Sequence, residues 1–188
     1  MKPPSTAAPD RRSAGLRIAF FDKRYSLQAD GFLDDSGCAP TQAVADLIRR
    51  YRAVLPAAGL PPAAEWCSFR ELRGAGPLSV QFANNTHKTI AVTFGGDLPA
   101  LDFAAAGSGG VVEPGAGFDR RYRFQALSEV PIILNYNAAD DLFPAQAHLL
   151  FRRAAQNLLD IRDLFTLGTY LTGRLIANSG QPDLLSLT

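Results

Sequence analysis

Asp140 and Asp141, with Asn135 and Asn137 just upstream, form the one place where adjacent carboxylates meet further oxygen donors. Hard cations favour such clusters. The spacing lacks the glycine and the later bidentate glutamate of a calcium loop, and neighbouring side chains on an extended turn point apart, which weakens an acid–base pairing. A turn whose aspartates cap local backbone donors therefore outranks a metal site at Asp140 and Asp141. His87, in NNTHKT, and His148 carry imidazoles that titrate near neutrality, but neither has a partner close in sequence. Cys67 beside Trp66 becomes a nucleophile only if a cation or helix terminus lowers its pKa, so burial as a small apolar residue is the simpler reading. Cys38, in a Gly-Cys-Ala-Pro turn, has no better claim.

Arginines supply the more promising chemistry. Arg121, Arg123 and Gln125 alternate with Tyr122, Phe124 and Ala126, the pattern of a half-buried strand with one polar face. Two guanidinium groups leaving the same side of a strand can hold a carboxylate or phosphate, with His148 a further candidate on that face, and Asn135 or a nearby helix terminus could complete the cradle. Trp66 is a candidate pocket wall. The default reading remains a solvated sheet face. The glycine-rich pieces GAGPLS, FGGD and GSGG match neither a dinucleotide fingerprint nor a phosphate loop, and read as turns and caps.

Several elements must position these groups. LRIAFF and YSLQA are short strands around a turn at Asp22-Lys23, and Asp34-Asp35-Ser36-Gly37 closes that region. Thr41 caps a helix over 41–55, where Val44, Leu47, Ile48, Tyr51 and Leu55 recur at helical spacing and Arg49, Arg50 and Arg52 take the solvated side. Gly59-Leu60-Pro61-Pro62 is a linker. Residues 77–95 admit both periods: PLSVQF alternates like a strand, and the β-branched residues of KTIAVTF lean the same way. Asp97 and Pro99 start a helix that runs to Gly107. Val130 to Tyr136 is apolar enough for a central strand, with Ala147, Leu149 and Phe151 on an antiparallel neighbour whose other side shows Gln146, His148 and Arg152. A leucine stripe then gives a helix over 158–176.

Length and composition set outer bounds. With 188 residues, 47% hydrophobic, the chain suits one core that removes roughly 70% of the unfolded surface from water. Nineteen basic against 18 acidic side chains leave a net charge of +1, which disfavours nucleic acid as a partner. No apolar run approaches membrane-spanning length, so the reading is no membrane and a cytoplasmic location. Two cysteines cannot supply four thiolates, so no intrinsic iron–sulfur cluster is expected.

EWCSFRELRGAG, LSEVPIILNYNAADDLFPAQAHLLF and LLDIRDLFTLG, in that order, resemble the successive motifs of an uncharacterised prokaryotic family known as domain-of-unknown-function family 3786. The resemblance runs from about the first strand to the last helix and implies no established reaction. It implies a setting in anaerobic metabolism, where some members carry a cysteine-rich iron–sulfur region that this chain lacks. Motif positions fall on Trp66, Ser68, Phe69, Arg70 and Glu71, on Asp140, Asp141, Phe143 and Pro144, and on Leu159 and Asp163. The chain departs from the pattern at Leu142, where an acidic residue is usual, at Asn135, near which an aromatic is favoured, and at Arg152, near which an acidic residue is. Any acidic site built from those positions in relatives is incomplete here.

The sequence thus predicts an α+β fold with a mainly antiparallel sheet flanked by helices: a leader over 1–15, a single domain over 16–177 and a tail over 178–188. The functional expectation is a non-catalytic binding or accessory module that contacts a partner protein or a small anionic ligand through Arg121, Arg123, Asn135, His148 and Trp66. The alternative is a metal-assisted enzyme built on Asp140, Asp141 and His148.

Overall fold

A computed structural model describes residues 17–28, 31–55 and 65–180. The expected leader, the 59–62 linker and the tail beyond Gly180 lie outside the described residues. The fold is α+β. A three-stranded antiparallel meander, β1 (Arg17–Phe20), β2 (Lys23–Gln28) and β3 (Gly31–Asp34), precedes helix α1 (Gln42–Val54). The turn between β1 and β2 is Phe21-Asp22 rather than Asp22-Lys23, because Phe20 pairs with Lys23. Phe21 adopts a φ of 53°, unusual for an aromatic residue. Its ring stacks on Tyr170 at 5.3 Å and its N–H donates to Ala126 O at 2.9 Å, so tertiary contacts outweigh the backbone cost. As expected, Asp34 closes the meander by accepting hydrogen bonds from Ser36 N and Cys38 N.

Helix α1 buries Val44, Ala45, Leu47, Ile48 and Tyr51, whereas Leu55 lies just past its end and is exposed. The Thr41 side chain makes no capping bond. Arg50 is exposed as expected, and its guanidinium also reaches across to Asp163, whose carboxylate is 2% exposed, and grips both its oxygens.

The sequence reading fails most clearly over 77–95. The structure is helical there: α2 (Ser79–Ala83), a π-helical turn (Asn84–Lys88) and α3 (Thr89–Phe94). Phe82, Thr86, Ile90 and Phe94 are all buried and recur every four residues. In an ideal α-helix three four-residue steps drift about 120°, and the extra residue of the π turn takes back about 100°. The stripe stays on the core side. Pro77 opens the segment, and Thr86 Oγ1 donates to Phe82 O within it. Phe82 stacks on Phe69 at 3.9 Å and lies so close to Gly168 that a Cβ there would stand 2.5 Å from the ring. Only glycine permits that approach.

Helix α4 (Leu98–Gly107) begins as expected, with the Asp97 side chain accepting from Ala100 N and Pro99 in the first turn. The main sheet joins β4 (Trp66–Ser68), β5 (Val111–Val112), β6 (Arg120–Leu127), β7 (Val130–Asn137) and β8 (Gln146–Arg152) in the order β4-β8-β7-β6-β5, every pair antiparallel. The central position of β7 follows from its apolar run, as does its near-complete burial. Helix α5 (Ile161–Ala177) starts three residues later than the leucine stripe implied, with Asp160 as its cap.

One sheet face carries Tyr122, Phe124, Ile132, Leu134, Tyr136, Ala147, Leu149 and Phe151 and meets the helices. Asp102 on α4 fixes it to β6 by accepting from Tyr122 Oη at 2.6 Å and from the Arg120 guanidinium. Tyr136 Oη donates to Gly95 O at the end of α3. The opposite face carries the arginines.

Two stability predictions follow from this packing. Leu134→Asp or Ile133→Asp should abolish cooperative folding, because each side chain is wholly buried in β7 and an unpaired carboxylate there costs several kcal/mol. A soluble variant with a cooperative melt would refute the burial of that strand. Arg50→Ala should cost about 1–2 kcal/mol in urea unfolding by removing the partner of the buried Asp163 carboxylate, discounted because Arg50 is half exposed, whereas Arg52→Ala should cost under about 0.5 kcal/mol.

Candidate functional site

Strand alternation sets the arginine face, since successive side chains of β6, β7 and β8 leave opposite sides of the sheet. Arg121 pairs with Asn135 across β6 and β7, and Asn135 pairs with His148 across β7 and β8. Three sequence-predicted residues therefore form one cross-strand row. Trp66 shares the face but pairs with Arg152, four residues along β8 and so about 13 Å from His148. There the Arg152 guanidinium lies 4.3 Å from the Trp66 ring centroid, a cation–π contact.

The row is not simply solvated. Asn135 is 4% exposed, and its Oδ1 is buried without a hydrogen-bond partner. Arg121 Nε, on the directly opposed residue, is likewise buried and unbonded. Glu113 stands beside both arginines, 2.7 Å from Arg123 Nε and 3.8 Å from Arg121 Nε. A carboxylate already sits between the two guanidinium groups, supplied by the residue after β5.

The aspartates do something else. Asp140 Oδ1 accepts from Leu142 N at 2.8 Å and Phe143 N at 2.7 Å, the local capping expected of a turn, and Asp141 is exposed. Asn137 Oδ1 accepts from Asp119 N. Among the described residues no group of three or more His, Cys, Asp or Glu side chains is placed to hold a metal ion. Cys67 is buried with its thiol donating to Phe151 O, and burial raises its pKa, which disfavours the thiolate. Cys38 is exposed, and both thiols are free.

The histidines, far apart in sequence, meet in space. His87 projects from the π turn, and its ring centroid lies 5.4 Å from that of His148. Its Nε2 accepts the backbone N–H of Leu149 at 3.0 Å. Burial, with a smaller contribution from His148, lowers the His87 pKa to about 4, so its ring is neutral with the proton on Nδ1. The strand reading of 77–95 hid this meeting. The 82, 86, 90, 94 spacing was the signal that could have revealed it.

Two cavities of about 560 and 580 Å³ flank the histidine pair, both bordered by His87 and His148. The first runs between α3 and the start of β8, past Ala91, Val92, Pro144 and Ala145. The second lies between Ser68–Glu71 and α2. Motif residues from the family resemblance line or support this region: Ser68, Phe69, Arg70 and Glu71 border the second cavity, and Pro144 the first. A family model described as "Domain of unknown function (DUF3786)" matches residues 5–174. The chain belongs to this family. Comparison with curated proteins and with solved structures gives no match. Membership in the family accounts for the collinear motifs, and the structure gives several of them architectural work. Phe69 stacks in the core, Asp163 anchors α1, and Asp140 caps a turn.

His87 makes the pH dependence of stability testable. Its folded pKa lies below the value of about 6.5 for an unfolded histidine, so between those pH values the unfolded chain binds more protons. This contribution is complete above pH 6.5 and is lost as pH falls toward 4, up to about 3 kcal/mol. His87→Gln, which keeps an acceptor for Leu149 N–H, should flatten the slope of unfolding free energy between pH 6.5 and 5. An unchanged slope in that variant would show that His87 is not held neutral.

Proposed function

We propose that this domain is a non-catalytic binding module that takes a small anionic ligand on the sheet face at Arg121, Asn135 and His148. The observation that carries the reading is the pair of buried, unbonded atoms, Arg121 Nε and Asn135 Oδ1, on directly opposed residues. Buried polar groups are seldom left without partners, so two on one row point to a missing third group. An amide's oxygen and nitrogen are assigned by their hydrogen bonds, and a half-turn of Asn135 would put the donor Nδ2 where Oδ1 now lies, on the residue opposite Arg121. An oxyanion between them would then satisfy both donors, with charge assistance from the guanidinium. The ordinary catalytic alternatives find less support: His87 Nε2 is occupied by Leu149 N–H, and Asp140 Oδ1 by its own turn.

Glu113 is the internal competitor for this site. Glu113→Gln should free the arginines and tighten binding of inorganic phosphate or acetate at low salt several-fold, whereas Asn135→Leu should weaken it at least tenfold. Chemical-shift titration of the full chain reads both, and thermal melts check that each variant folds. Added salt should weaken the effect only in part, because the Arg121 and Glu113 side chains are half-buried. Failure of both anions to bind the wild-type and Glu113→Gln proteins would refute the reading.

A further inference from the structure

We infer that the ligand is amphipathic: a small carboxylate whose head rests at Arg121 and Asn135 and whose apolar body passes His148 into the groove between α3 and the start of β8. This rests on the binding face proposed above and adds what the rest of the ligand must be. His148 joins the two parts of the site, because it is both the third residue of the row and a wall of the 560 Å³ cavity. Adjacent strands lie about 4.8 Å apart, so the path from Asn135 to the groove crosses a single residue.

The groove has the chemistry for an aliphatic or aromatic body. Ala91, Val92, Pro144 and Ala145 line it, and Val92 stands 75% exposed at the rim, an aliphatic surface with little cover. His87 contributes a ring that is uncharged at neutral pH, with Nε2 bonded to Leu149 N–H and Nδ1–H as its one remaining donor, so it adds no charge to the groove. Among the described residues Lys88 is the one charged side chain lining the groove, and Arg121 lies beyond His148; both are cationic and favour an anionic head, against Glu113 beside Arg121 and Asp140 past Pro144. The volume falls within the range of small-molecule sites, and the lining from Ala145 to His148 sets the groove along the start of β8.

The experiment is a chain-length series of straight-chain carboxylates, acetate to octanoate, titrated as monomers into the full chain by calorimetry and by the His148 imidazole resonances. Affinity should rise about fourfold per methylene, the equivalent of about 0.8 kcal/mol, until the groove is filled, and then level off. The neutral octanamide should bind at least tenfold more weakly than octanoate. Ala91→Gln should abolish the chain-length dependence while leaving acetate binding unchanged, and Val92→Gln, at an exposed position that does not threaten folding, should reduce it. A flat series with acetate still bound through Asn135 overturns this inference and leaves the anion-binding reading standing. A rising series that persists in Asn135→Leu, or equal binding of octanamide, also overturns it, since the head would then not be where it is assigned. Absence of binding by every carboxylate and by phosphate refutes the anion-binding reading and this inference together.

Discussion

The backbone N–H of Leu149 has to find an acceptor, and much of the architecture on that side of the molecule answers to this need. β4 is three residues long and covers β8 only at Leu150, Phe151 and Arg152. Leu149 is the next position along that edge, and its side chain is wholly buried against the helices. A buried N–H without a partner costs about as much as a lost hydrogen bond and its desolvation, roughly 1–3 kcal/mol. His87 supplies the acceptor, and it can do so only while its Nε2 is unprotonated. The hydrogen bond requires the neutral ring, and burial, which lowers the ring's pKa to about 4, keeps it neutral.

Meeting that constraint shapes the helix. An uninterrupted α-helix over 79–94 would let the stripe of Phe82, Thr86, Ile90 and Phe94 wind away from the core, and the π turn restores it while carrying His87 toward the β8 edge. The helix must also lie close to α5, which is possible because Gly168 leaves room for the Phe82 ring. A side chain at Gly168 would push α2 outward and lengthen the contact between His87 and Leu149. Packing at one glycine and hydrogen bonding at one strand edge are thereby coupled through a single ring.

How much of this could be read from the sequence depends on where the controlling contacts lie. Strands β6, β7 and β8 were legible because alternation and a continuous apolar run report directly on which face is buried. The cap at Asp97 and the turn at Asp34 were legible because their hydrogen bonds are local. Residues 77–95 were not: a threonine occupies one place in the buried stripe, β-branched residues dominate α3, and the stripe's four-residue period matches neither an ideal helix nor a strand. The same long-range dependence applies to Phe21, whose left-handed backbone is held by Tyr170, and to Arg50, whose partner Asp163 is 113 residues away. The row of Arg121, Asn135 and His148 was half legible. Alternation put Arg121 and His148 on polar strand faces and the apolar run around Asn135 implied its burial, but only the register sets Asn135 between them, and the intrusion of Glu113 could not be foreseen.

That intrusion makes the sheet face self-limiting. Arg121 and Arg123 two residues apart would repel each other and any nearby cation, and Glu113, delivered by the short edge strand β5, offsets that repulsion without satisfying Arg121 Nε. The carboxylate is nearer Arg123 by about an ångström, so it neutralises the outer guanidinium and leaves the inner one, next to Asn135, incompletely bonded. The polar atoms with the greatest need for a partner are thus the most deeply buried on the row. An anion arriving there would replace no existing hydrogen bond of Arg121 Nε, and it would approach a site already shielded from water, where charge-assisted hydrogen bonds are stronger than at an open surface. The face thus pairs an inner row of buried atoms that lack hydrogen bonds with Glu113 and Arg123, which set the field around it.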